Sequence, residues 1–442
     1  MLPRAAVQPA LVLAAALPLA SCDSLQPFGP GELARSSANA LATYFPPSEI
    51  NGGWRKRTNL ARIRELGIEP TRLNQLGQYL MSQPYENYKT GVSGYDPSNK
   101  AAIVVKGGWI VGEYYNQASA KGALYYLASN GKGMSMMLVG HMMQTHPELG
   151  IGLESVLYDP RWLPEGFPLS DSLKAQITFD QVFRHASGII PQDADQVASS
   201  AVQTEVGWNF RPFTVGKDAE WPQSAPLWYP PDSIFLYPGD PYSSVAFNHF
   251  SLIFQNVSGL EASAYLKAAL LNPIGVGTVA YKLNKGMGTV KFAAAGNVLM
   301  TARDFMRVGY LMLHEGDWKG KRLFPDSWLR SFTDTTTYIN LRSNRDCYWG
   351  TQYPADLYRS TGSGQNWVLV VPSLDLLLTY NGRTPASRRV EIDRESLERL
   401  FDAVTDRYIA CDGTVVNGAS VSPSAARPRA DRRDRGAGNP VR

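Results

Sequence analysis

The chain has 442 residues, 44% hydrophobic, 11% aromatic and 19% charged, which is globular composition and excludes a wholly disordered protein. The formal charge of +4 matches the stretch from Gly413 to Arg442 alone, which holds six Arg and two Asp; a near-neutral folded part argues against a nucleic-acid partner. Three cysteines and five scattered histidines, with no HExxH and no Cys/His cluster, exclude a disulfide scaffold and the common zinc motifs, so neither metal nor organic cofactor is implied.

At the N-terminus, Arg4 is the only charge before an apolar run from Ala10 to Ala20. Leu19-Ala20-Ser21-Cys22 follows and resembles the lipobox of bacterial lipoproteins. The resemblance implies a signal over residues 1–22 and lipidation at Cys22, which would tether the protein on the periplasmic side of a bacterial membrane. A plain secretory signal is the alternative. The run is too short for a lasting membrane span. Residues 23–58 read as a flexible tether. The folded domain is expected over 59–411 and a disordered basic tail over 412–442. Export leaves Cys347 and Cys411 in an oxidising compartment, either bridged or as buried thiols.

Within the domain, Leu73, Leu76 and Leu80 predict a helix over 70–83. Ala101–Val105 and Trp109–Tyr115 predict a hairpin through Lys106-Gly107-Gly108. The middle, about 133–290, reads as mainly helical. Met134, Met137, Leu138, His141 and Met142 share a face, better read as core than as a cofactor site. Thr178-x-x-Gln181 is a capping box for a helix to Arg184, and His185 behind it reads as a turn brace. Phe247, Phe250, Phe254 and Val257 mark another helix. Thr301-x-x-Asp304 opens one to about His314. Strands return at Trp367–Val371 and Leu374–Tyr380, and a last helix is expected over Ser396–Tyr408. The fold class is therefore α/β (α+β): an antiparallel sheet from both chain ends, flanked by helices, with an inserted helical domain and a site at the junction.

The chemistry starts at Ala128-Ser129-Asn130-Gly131-Lys132. A serine hydroxyl is a weak nucleophile until a base takes its proton. A lysine three residues on shares its helical face, and burial would disfavour its ammonium form. Roughly two SxxK matches arise by chance in a chain this long, so the spacing alone says little. No GxSxG, P-loop or Rossmann fingerprint competes with it.

Five passages in sequence add to it: Leu127–Met143, Ile177–Pro191 (with His185-Ala186-Ser187-Gly188), Tyr242–Leu260, Ala293–Leu313 and Thr361–Leu378. Together they resemble the serine β-lactamase and penicillin-binding-protein-like superfamily over about residues 70–410. The likeness is greatest to the class C-like branch of esterases, D-aminopeptidases and 6-aminohexanoate-oligomer hydrolases. It implies a β-lactamase/transpeptidase-like fold. It also implies Ser129 as acylated nucleophile, Lys132 as its proton acceptor or as partner of a Tyr phenolate, and Tyr242 as proton relay. The amides of Ser129 and Gln365 would form the oxyanion hole. Ser244, Gly362, Ser363 and Gly364 would line the substrate site, and Trp228, in an aromatic loop, would either form an apolar wall of it or pack against the domain.

Two departures narrow the substrate. Ser244 stands where the family has an asparagine, and Gly362 where it has Lys or His, so the cation expected to face a substrate carboxylate is missing. Gly131 between nucleophile and lysine costs about 1 kcal/mol of helix propensity and suggests a close approach by ligand or neighbouring chain. The expected activity is hydrolysis of a small ester or amide through an acyl-serine. A β-lactamase or D,D-peptidase is the alternative, and an inactive envelope binding protein a second.

Overall fold

The structure is a computed structural model that describes residues 43–190, 221–227, 229–233, 242–282 and 292–418. Cys22 with the expected signal, the tether before residue 43, Trp228 and the tail beyond residue 418 lie outside the described residues.

The first long helix, α1 (Pro70–Met81), begins at a proline in its first turn, and the Glu69 side chain accepts from the Thr71 amide. These are the start signals that the leucine spacing needs. Strands β1 (Ala101–Lys106) and β2 (Trp109–Tyr115) form the expected hairpin. After the short β3 (Tyr125–Tyr126) comes α2 (Asn130–Thr145). The Thr178/Gln181 capping box closes as expected on α3 (Phe179–Phe183). Helix α4 (Ser244–Ser258) follows, then strands β4 (Val279–Tyr281) and β5 (Val298–Met300). Helix α5 (Ala302–Leu313) is capped by Thr301, and α6 spans Asp326–Thr333. Then come β6 (Leu341–Ser343), β7 (Tyr358–Gly362), β8 (Asn366–Val371), β9 (Leu376–Asn381) and α7 (Arg389–Ala403).

The main sheet has six strands in the order β2-β1-β9-β8-β7-β6, each neighbouring pair antiparallel. Both chain ends therefore build it, as expected. Its central strands read as unbroken apolar runs because both faces are covered. Ala102, Val104, Leu369, Val371, Leu376 and Leu378 face α1 and α7, where Leu73, Leu76, Ile392 and Phe401 complete one core. The alternate residues Ile103, Val105, Val368, Val370 and Leu377 join the larger core that holds α2, α4 and α5. A second, three-stranded sheet, β3-β5-β4, brings the chain up to α2.

Three expected boundaries move. Residues 44–56, expected in the tether, are fastened to the domain. Trp54 is buried, Arg307 donates to the carbonyls of Pro46 and Pro47, and the Tyr310 hydroxyl donates to that of Tyr44. The last helix runs over 389–403 rather than 396–408. Its first turns carry charge on an exposed face, which hid the apolar face that Ile392 opens. Tyr408 instead begins a strand, Tyr408–Ile409, that pairs with Val415–Val416, so the fold extends past residue 411. Cys347 and Cys411 are disulfide-bonded, their Cα atoms 5.5 Å apart.

Candidate active site

The nucleophile's position follows from a sharp turn. Ala128 takes a left-handed backbone (φ 47°), costly for a residue with a Cβ. It swings the chain from β3 into α2 and leaves Ser129 at the helix N-cap. There the helix N-terminus favours negative charge developing near the serine.

One turn on, Lys132 is 1% exposed. Its Nζ donates to Ala295 O at 3.0 Å, Ser244 Oγ at 3.2 Å and Ser129 Oγ at 3.4 Å. Those acceptors match the three N–H bonds of an ammonium. Nζ also lies 4.7 Å from the Tyr242 ring centroid. Ser244 is thereby committed to the lysine.

Tyr242 approaches from the start of α4, and its hydroxyl donates to Ser129 Oγ at 2.7 Å. The Tyr242 ring stacks on His185, centroids 4.0 Å apart at 21°. His185 is fully buried. It accepts from the Ser243 amide at Nδ1 (3.1 Å) and faces Asn340 Oδ1 with Nε2 (2.8 Å). Asn340 Nδ2 in turn donates to the Tyr242 hydroxyl at 3.3 Å. Burial and then the Lys132 charge push the imidazole down to about 3, although the Asn340 bond raises it. His185 is thus a neutral brace, as its place in the sequence suggested. Asn340 carried no sequence signal: it stands 98 residues from Tyr242 in no recognisable motif.

The glycines near the serine answer to neighbouring chain rather than to ligand. A Cβ on Gly131 would stand 2.5 Å from Gly296 Cα. One on Gly362 would stand 2.1 Å from Leu127 O and 3.1 Å from the Ser129 amide nitrogen. The backbone before the nucleophile thus fills the room that a side chain at Gly362 would need. Asn130 completes the seam, donating to Leu127 O and Asn366 O and accepting from Ser360 Oγ.

Beyond Gly362, residues Ser363, Gly364 and Gln365 form the turn between β7 and β8. Gly364 and Gln365 both have positive φ, 80° and 63°. A cation does reach this turn: Arg383, just past β9, donates from Nη1 to Ser363 Oγ at 3.0 Å and pairs with Glu86 at 3.2 Å. Among the described residues no group of His, Cys, Asp and Glu side chains could hold a metal ion.

A serine, a lysine and a tyrosine converge between a helical layer and an antiparallel sheet, the juxtaposition of a hydroxyl nucleophile with groups able to move its proton. The family model described as Beta-lactamase matches residues 89–400; the chain belongs to the beta-lactamase family, whose members are hydrolases. Among the solved structures that share this fold are two with the following likeness. A candidate beta-lactamase from Bacteroides dorei is 15% identical (TM-score 0.50), the match covering 72% of this chain and 92% of that one. EstCE1, a hydrolase with promiscuous acyltransferase activity, is 12% identical (TM-score 0.51), with 74% and 99% covered. No curated protein matches the chain in sequence.

Proposed function

We propose that this protein cleaves a small ester or amide through an acyl intermediate on Ser129. The observation that carries the reading is the approach of Tyr242 OH (2.7 Å) and Lys132 Nζ (3.4 Å) to Ser129 Oγ. With Lys132 as ammonium, Tyr242 as phenolate takes the Ser129 proton while Oγ bonds to the substrate carbonyl carbon. The oxyanion is met by the Ser129 amide and by an amide of the turn after Gly362, for which Gln365 is the sequence's candidate. Collapse breaks the bond to the leaving group, which takes the proton from Tyr242. Water then gives a proton to Tyr242 as its oxygen bonds to the acyl carbon, and when the acyl–Oγ bond breaks Tyr242 hands that proton to Ser129, which restores the phenolate and the free serine. Export and a lipid anchor at Cys22 belong to the same proposal and rest on the Leu19–Cys22 pattern.

A second reading, a β-lactamase or D,D-peptidase, draws support from Arg383 at Ser363. Its guanidinium could meet a substrate carboxylate, although Glu86 already pairs with it. Faster hydrolysis of nitrocefin than of a p-nitrophenyl ester would favour this reading. The inactive-binder alternative is disfavoured by the intact Ser129–Lys132–Tyr242 cluster.

The test is intact-mass analysis after a fluorophosphonate probe. One adduct on the wild type, absent from Ser129→Ala, is expected. No adduct on folded wild type would overturn the reading.

A further inference from the structure

We propose that the side-chain amide of Asn340 is a catalytic donor to the Tyr242 oxygen, held in that direction by His185. The inference rests on the reading of Ser129 and Tyr242 given above.

The direction of each bond can be worked out from one fixed point. The Ser243 backbone N–H can only donate, so His185 Nδ1, 3.1 Å away, must accept. A neutral imidazole then carries its proton on Nε2. Nε2–H must donate to the Asn340 atom 2.8 Å away, which makes that atom the carbonyl oxygen Oδ1. The NH2 end of the amide is therefore the end 3.3 Å from the Tyr242 hydroxyl. A backbone amide thus sets an imidazole tautomer, the tautomer sets an amide rotamer, and the rotamer presents an N–H to the oxygen that exchanges protons with Ser129.

A donor at that place acts on one protonation state more than the other. It strengthens when the Tyr242 oxygen carries charge and weakens when the oxygen is a neutral hydroxyl. The resting separation of 3.3 Å is long for a neutral bond and shortens once the acceptor is an anion. Two other groups beside Tyr242 already have roles of their own. Lys132 spends its bonds on Ser129, Ser244 and Ala295, and the His185 ring meets Tyr242 by its face. Asn340 is itself 2% exposed, so water does not compete for its amide. Its place directly before β6 ties it to the edge of the main sheet, whereas Tyr242 belongs to the helical layer. The bond therefore also registers the two layers across the site.

Asn340→Asp is the informative variant. It keeps the shape and still accepts from His185, but it turns the donor facing Tyr242 into an acceptor. The measurement is the second-order rate of fluorophosphonate labelling at Ser129 from pH 5 to 9, with thermal melting as the control for folding. Asn340→Asp is expected to label on the order of 100-fold more slowly at neutral pH, the lost donor and the added negative charge acting together. Its rate should recover at higher pH than in the wild type, because a carboxylate opposes a phenolate. Asn340→Leu should lose roughly tenfold with a smaller displacement in the same direction, since it removes the donor and adds no charge. A folded Asn340→Asp with wild-type rate and profile overturns the inference alone. A wild type that never labels overturns both the inference and the reading beneath it.

Discussion

The two sides of the site are built differently. On the nucleophile side, main chain meets main chain. Gly131 lies on Gly296, Gly362 lies on the Leu127 carbonyl, and Asn130 clips the helix start to β7 and β8. On the base side, side chains carry the load: Tyr242 is held by His185 and Asn340, and His185 by the Ser243 amide. The nucleophile side has no freedom to adjust, because a backbone cannot change rotamer. The base side can adjust in steps and respond to protonation.

The largest effect expected from this contrast is that of Gly131→Ala. The new methyl would sit 2.5 Å from Gly296 Cα, with backbone on both sides and no flexible atom to move. Overpacking of this kind costs about 3 kcal/mol, far more than the helix propensity gained by replacing glycine. A denaturant midpoint series checks it. Wild-type stability in Gly131→Ala would break the distinction between the two sides.

The base side should show itself through pH. In the native state His185 stays neutral down to about 3, whereas the unfolded side chain takes up its proton near 6.5. Between those values the unfolded chain binds more protons. This contribution to stability is therefore complete above about pH 6.5 and is lost as pH falls toward 3. The slope from one such group reaches about 1.4 kcal/mol per pH unit. His185→Gln should lose that slope, seen in unfolding midpoints between pH 6.5 and 3.5. Equal slopes in the two proteins would mean that His185 is not the buried neutral brace described here.

The same contrast explains how far the site could be read from sequence. Ser129 and Lys132 are three residues apart on one helix, and local spacing exposes such pairs. The hairpin β1–β2, helix α1 and the capping box at Thr178 were legible for the same reason: each is written within a dozen residues. Gly131 stands out in a helix start, but its partner Gly296 does not, because close approach between distant segments leaves no periodic trace. Asn340 was invisible. Nothing near it in sequence marks it, and its meaning arises only where β6 meets the start of α4. The last helix was displaced by several residues because its N-terminal turns are charged outside and apolar only on the side facing α1.

The smallest expected effect lies farther out on the base side, at Lys174. Its ammonium is fully buried and donates to Ser170 Oγ at 2.8 Å, Pro222 O at 2.9 Å and Gln223 O at 2.8 Å. Burial, only partly offset by Asp171, lowers it to about 8. The segment it grips is the one that reaches the site: Ile190 N donates to Pro226 O, and Ser243 Oγ donates to Ile190 O. Lys174→Met keeps the apolar stem and removes the three donors, leaving two carbonyls to find other partners. The cost of those orphaned acceptors, less the relief of not burying a charge, comes to about 1 kcal/mol. The local consequence should exceed the global one. Amide exchange over residues 221–227 and 186–190 should speed up, while exchange in α2 beside Ser129 stays as in the wild type. Faster exchange in α2 as well would show that the two sides are mechanically one, and that the nucleophile depends on the loop that holds its base.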